Sequence, residues 1–250
     1  MTADRTPSPS AGIWAHVLRQ LQAIADAAEQ IGWLVSVDST IMRAHSHAAG
    51  ARRHGDRQAE PPGGYHSEPA DHALGRSRGG WETKLHLACE HRLRPLSLLL
   101  TGGQAGDSPQ FAAVLDSIRV PRIGRGRARV RPDRVLADKA YSSAANRAYL
   151  REHGIPATIP IPADQAGHRR NRGRASGRPP AFDRQIYRHR NTIERGSNRL
   201  EQHRAVPTRY EKLATRYLAR HPDRRHRPMA VTSTPTSRHC LVFCAWGLWI

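Results

Sequence analysis

The 250 residues carry a formal charge of +19 with 38% hydrophobic content, enough for one substantial core with extensions and strongly favourable to an acidic partner. Lysine is confined to Lys84, Lys139 and Lys212, so the charge is almost all arginine, whose fork suits phosphate, although a GC-rich coding sequence enriches arginine in any protein. Cys89, Cys240 and Cys244 make neither a disulfide framework nor a four-ligand zinc pattern, no apolar leader opens the chain, and the closing run from Cys240 is too short to span a bilayer. These features exclude secretion and membrane insertion as expectations and point to a reducing cytoplasm.

Residues 1–11 are polar and proline-rich and are expected to be disordered. Trp14, Val17, Leu18, Leu21, Ile24 and Ala25 recur at helical spacing and predict an amphipathic helix ending near Gly32. A first strand, Trp33 to Val37, should deliver Asp38 at its end. Glycine, proline, histidine and charge from His45 to Arg78 predict a long loop. Thr83 to Cys89 and Leu93 to Leu100 then read as a hairpin turning through Glu90-His91-Arg92.

Ser108 with Pro109 can start the next helix, whose stripe is Phe111, Val114, Leu115 and Ile118. A strand through Val135 and Leu136 presents Asp138; Ser142 or Ser143 caps a helix stopping before Gly154, and Ile155 to Ile161 supplies a fifth strand. A long helix from about Phe182 to Gln202 closes the ordered pattern. Two arginine-rich segments interrupt it, one from Arg119 to Arg134 and one holding Arg169, Arg170, Arg172, Arg174 and Arg178. As flexible stretches they could follow a phosphate backbone without reading sequence, or be solvated loops of biased composition. Pattern alone supports a mixed α/β domain without internal repeats, nucleotide-binding glycine fingerprint or Walker-type loop.

Three acids stand in informative settings. Asp38 and Asp138 close short apolar runs, and Glu194 lies on the long helix. Carboxylates gathered from two strands and a helix are what two-metal phosphoryl transfer needs, and the charge of the chain makes nucleic acid the substrate to expect. Taken singly, each has an ordinary explanation as a capping or solvated acid. At ~100° per residue, Tyr187, Arg190 and Glu194 fall within about 60° of one another on the helix, beside an apolar stripe of Ile186, Ile193 and Leu200.

The ordered set Val37-Asp38-Ser39-Thr40, Gly75-Arg76-Ser77-Arg78-Gly79-Gly80, Gly106-Asp107-Ser108-Pro109-Gln110-Phe111, Ala137-Asp138-Lys139-Ala140-Tyr141 and Arg190-Asn191-Thr192-Ile193-Glu194-Arg195 resembles the DDE transposases of bacterial insertion sequences. The likeness is to the insertion-sequence-five family within the insertion-sequence-four-like group and runs from about Trp14 to Ala219.

That resemblance implies a ribonuclease-H-like mixed sheet flanked by helices over residues 12–219. It implies Asp38, Asp138 and Glu194 as catalytic ligands of two Mg2+ or Mn2+ ions. It also implies cleavage and joining of double-stranded DNA at insertion-sequence ends and target, in a cytoplasmic, nucleoid-associated protein. Tyr187, Arg190 and Lys139 are the expected DNA contacts beside the acids, with Arg169, Arg170, Arg172 and Arg174 further out. A homodimer is one admissible assembly.

Three departures accompany the likeness. The family has a longer N-terminal helical region than Trp14 to Ile31, and it has lysine where Glu201 stands. Its closing helix also stays apolar where this chain reads Arg220-His221-Pro222-Asp223-Arg224-Arg225, as if from a shifted frame, which makes residues 220–250 an atypical and poorly ordered tail. A basic DNA-binding remnant without catalysis, or a ribonuclease-H-like nuclease, is therefore the alternative reading.

Overall fold

The computed structural model describes residues 9–51, 68–92, 94–191, 193–195 and 207–223. They form a seven-stranded mixed sheet flanked by helices, in the order α1 (Pro9–Ala27), β1 (Leu34–Ala44), α2 (Ser46–Ala49), β2 (Gly75–Ser77), β3 (Gly80–Glu90), β4 (Pro95–Gly102), α3 (Asp107–Asp116), β5 (Arg134–Ala137), α4 (Ala144–Glu152), β6 (Ala157–Thr158), α5 (Ala163–Arg172), α6 (Arg184–Tyr187), β7 (Thr208–Arg209) and a closing helix (Ala214–Asp223). This is the fold class expected from the sequence.

The sheet is built around β1. It lies antiparallel to β3 from Val35↔Glu90 to Arg43↔Glu82, and β3 in turn pairs with β4 and with β2. On its other side β1 runs parallel to β5 only as far as Val37↔Ala137, then parallel to β7 at Arg43 and Ala44. Among the described residues, no strand flanks Asp38 to Met42 on that side. The sheet is interrupted where the two aspartates lie.

The alternation of β-structure sends odd and even residues of β1 to opposite faces, and each face is buried. Val35 and Val37, with Ala88 and Val135, pack beneath Phe111, Val114 and Leu115 of α3 and Leu150 of α4. Met42, with Leu85, Leu87 and Cys89, packs against Ile193, Ala214 and Tyr217. Ser36, Asp38 and Thr40 share that second face by the pleat, which turns Asp38 toward the helical segment containing Ile193 and Glu194.

Several elements differ from expectation for local reasons. Strand β1 is eleven residues long, so Asp38 lies within it; continuous pairing with β3 carries the chain through the polar Asp38-Ser39-Thr40. The helix α1 starts at Pro9, inside the segment expected to be disordered. Within the predicted loop His45 to Arg78, His45 caps the short α2 by accepting from His47 N, and β2 pairs with β3. Helix α3 begins one residue before Ser108, with Gly106 as its cap and no side-chain capping bond.

Ser143 caps α4 by accepting from Asn146 N at 3.1 Å, and the helix stops before Gly154, whose φ of +60° suits glycine. The fifth strand shrinks to Ala157–Thr158 because prolines flank it. The expected single helix from Phe182 is instead α6 capped by Asp183, a tighter turn over Arg188–Arg190, and helical backbone again at 191 and 193–195.

Arg169, Arg170 and Arg172, expected in a flexible stretch, end the helix α5, and Arg174 lies in the turn Gly173–Ser176 that follows. The closing helix continues past Ala219 to Asp223. Glu201, Leu200, Cys240 and Cys244 lie outside the described residues.

Candidate active site

Because β1 and β5 are in register to Val37↔Ala137, Asp38 and Asp138 are the next residues on two neighbouring parallel strands, whose spacing is about 4.8 Å. The strands then diverge. Asp38 stays in β1, and its Oδ1 accepts the Ser39 N–H at 3.0 Å. Asp138 leaves the sheet and caps the tight turn Lys139–Tyr141, its Oδ1 accepting the Lys139 N–H at 2.6 Å. In each case one oxygen is fixed by backbone and the other points elsewhere.

Glu194 comes from the opposite layer. The buried Ile193 beside it anchors the helical segment in the second core, so Glu194 itself projects outward. Arg190, one turn earlier, joins the two layers: its Nη1 donates to Glu194 Oε1 at 2.6 Å and its Nη2 to Asp38 Oδ2 at 3.4 Å. The predicted shared face of Tyr187, Arg190 and Glu194 is thus present despite the tighter turn. Tyr187 is near enough to Arg190, Asp138 and Glu194 to feel their charges.

The electrostatics are those of a site short of positive charge. Burial raises the Asp38 pKa above the usual carboxylate value; Arg190 and the Ser39 N–H oppose this, while Asp138 and Glu194 add to it. Burial works against the Arg190 charge, yet Asp38, Tyr187, Glu194 and Asp138 together hold its pKa above the ordinary guanidinium value. Burial likewise raises the Tyr187 pKa, so it is a proton donor at neutral pH. All-oxygen carboxylate donors suit Mg2+ or Mn2+ in kind. Among the described residues, however, no three His, Cys, Asp or Glu side chains stand grouped as an ion would require. The Arg190 guanidinium bridges two of the three instead.

Behind the aspartates, on the first face of the sheet, lies a polar layer that sequence reasoning missed. Lys84 Nζ sits 2.9 Å from Asp107 Oδ1 and donates to Ala105 O at 2.8 Å. His86, which burial keeps neutral with a pKa lowered to about 4, meets Thr101 Oγ1 at 2.9 Å. The buried Tyr141 packs against Phe111, and its pKa is raised by burial first and then by Asp107 and Asp38. The alternation of Lys84 and His86 with apolar Leu85 and Leu87 is visible in sequence, but it reads as a solvated strand face. Here that face is covered by α3.

Of the other predicted residues, Lys139 is exposed beside Asp138, and Arg169, Arg170, Arg172 and Arg174 form a separate basic surface on α5 and its following turn. The segment from Arg119 runs as a loop, mostly exposed over Ile123–Arg127, to Arg134 at the start of β5; the bridge Val120↔Arg129 closes it, with Arg129 stacked on Trp33 at 4.0 Å.

A family model described as "Transposase DDE domain" matches residues 29–221. The chain is 36% identical over 84 residues to a putative transposase for insertion sequence element IS402 from Burkholderia cepacia, covering 34% of this chain and 39% of that protein. It is 30% identical over 136 residues to a putative transposase for insertion sequence element IS6501 from Brucella ovis, covering 54% and 88%. The match thus spans under half the length of the first relative and most of the second. A cryo-EM structure of piggyBac transposase in a synaptic complex with hairpin DNA aligns with a TM-score of 0.38 and 13% identity, over 84% of this chain and 47% of that one.

Proposed function

The chain belongs to the transposase DDE-domain family, and on that premise we propose that it cuts and joins DNA strands at the ends of an insertion sequence, using Asp38, Asp138 and Glu194 to hold two Mg2+ or Mn2+ ions. The observation that carries the reading is the Arg190 guanidinium, which ties Glu194 to Asp38 from 152 positions away, with Asp138 following Ala137 on the strand parallel to β1. When bound, the cations supply the charge that activates the attacking oxygen and stabilises the leaving one.

The protein's own contribution is position and charge. Backbone N–H groups fix one oxygen of each aspartate, and Arg190 holds the second oxygen of Asp38. Among the described residues, no strand pairs with Asp38 to Met42 on the β5 side, and that edge is the one assigned to the DNA. Tyr187 and Arg190 offer donors to a phosphate lying over Glu194, and Lys139 offers a cation beside Asp138. Arg169, Arg170, Arg172 and Arg174 provide a second, sequence-blind contact to duplex DNA, consistent with forked arginine recognition of phosphate.

The decisive experiment is incubation of the purified chain with DNA carrying the ends of its own element, with Mg2+, Mn2+ or chelator. Metal-dependent nicking followed by strand transfer is expected. Cleavage without transfer would instead support a ribonuclease-H-like nuclease, and binding without cleavage a remnant.

A further inference from the structure

We propose that Arg190 is a built-in counter-ion of the metal-binding carboxylates, holding Asp38 and Glu194 together in the metal-free protein and giving way when divalent cations enter. The inference rests on the reading of Asp38, Asp138 and Glu194 as those ligands.

An ordinary i,i+4 pair such as Arg190–Glu194 would need no special role, since exposed pairs of this kind contribute little. Arg190 is different in three respects. Its second partner, Asp38, lies 152 positions away on β1, so one guanidinium spans the two layers that build the site. Its side chain is only 12% exposed, although Glu194 is 50% exposed, so the cation has been drawn inward rather than left in water. Its Nε is buried without a hydrogen-bond partner among the described residues, a cost that the two carboxylate contacts have to offset.

The placement is that of a cation. Three carboxylates and one guanidinium leave the cluster with two net negative charges, which is tolerable without metal and attractive to it. A fork between Asp38 and Glu194 also occupies one oxygen of each, in competition with a cation that would use the same atoms. The Asp38 contact, at 3.4 Å, is the longer of the two and is the one released first. A metal must therefore bind the fraction of molecules in which the fork is open, which weakens its apparent affinity by that fraction.

The test is Mn2+ binding to the full chain, followed by electron paramagnetic resonance. Arg190→Gln should bind Mn2+ about tenfold more tightly than the parent. Arg190→Lys, which keeps the charge but replaces the planar two-nitrogen fork by a single nitrogen, should also bind more tightly, by a smaller factor; electrostatic relief alone predicts no gain for lysine. Asp38→Asn should lose the site. If Asp38→Asn loses binding but neither Arg190 variant gains, the counter-ion proposal is overturned while the metal site stands. If Asp38→Asn binds as the parent does, the carboxylate reading itself fails and the proposal with it.

A measurement on the unaltered chain covers the case of a poorly folding variant. Saturating Mn2+ should raise the rate of Arg190 modification by a dicarbonyl reagent several-fold, read by peptide mass spectrometry. An unchanged or slower rate would overturn the proposal.

Discussion

At the scale of single residues, the site depends on which oxygens are free and which charges are matched. Asp38→Asn, Asp138→Asn and Glu194→Gln keep size and remove a charged ligand, so each should lower metal-dependent cleavage of element-end DNA by roughly a hundredfold or more. Gel analysis of end-labelled substrate checks this, and cleavage at parent rates in all three would remove the proposed site.

His86 gives a different residue-level prediction. Its folded pKa, about 4, lies below the ordinary 6.5, so the unfolded chain takes up a proton first as pH falls. The stability it contributes is complete above 6.5 and is lost progressively from there down through about 4. The loss is on the order of 3 kcal/mol if the whole shift is realised. Urea denaturation against pH should show a shallower decline in His86→Gln than in the parent.

At the scale of elements, the closing helix is fixed by two charged side chains as well as by the packing of its own Ala214 and Tyr217. Arg209, fully buried, donates to Thr83 Oγ1 at 2.7 Å and to the Glu211 and Lys212 carbonyls at 2.8 Å each, and lies over the Tyr217 ring. Burial lowers its pKa to about 10. Glu68 caps the helix, accepting from Ala214 N at 2.7 Å and Thr215 N at 3.0 Å. A lysine at 209 cannot reproduce the fork and strands several acceptors, so Arg209→Lys should cost about 2 to 4 kcal/mol in chemical denaturation. Glu68→Gln should cost about 1 kcal/mol, because the cap weakens but keeps an acceptor.

At the scale of the molecule, the +19 charge should govern encounter with DNA more than it governs the fold. Duplex affinity should fall steeply with salt through counterion release. Replacing Arg169, Arg170 and Arg172 by glutamine should flatten the slope of log K against log salt by about 2 to 3, at roughly 0.9 for each phosphate no longer neutralised. Fluorescence anisotropy over a salt series measures this; an unaltered slope would show that α5 does not touch DNA. Among the described residues, no helix is long and apolar enough to cross a membrane.

The order and type of the main elements were legible in the amino-acid sequence, because apolar periodicity and caps are local: the β3–β4 hairpin, the α3 stripe Phe111-Val114-Leu115, Ser143 before α4 and Gly154 after it. So were the motifs that carry the family likeness. What the sequence could not carry was long-range. Strand β1 runs through Asp38 because β3 pairs with it, β6 is two residues long because prolines flank its pairing with β5, and Lys84 and His86 are covered because α3 folds over them. The bridge from Arg190 to Asp38 belongs to the same class. Sequence spacing placed Arg190 beside Glu194 one helical turn away, but only packing of the Ile193 face against β1 and β3 brought its guanidinium to a carboxylate 152 positions distant, where low local dielectric lets one cation hold both acids.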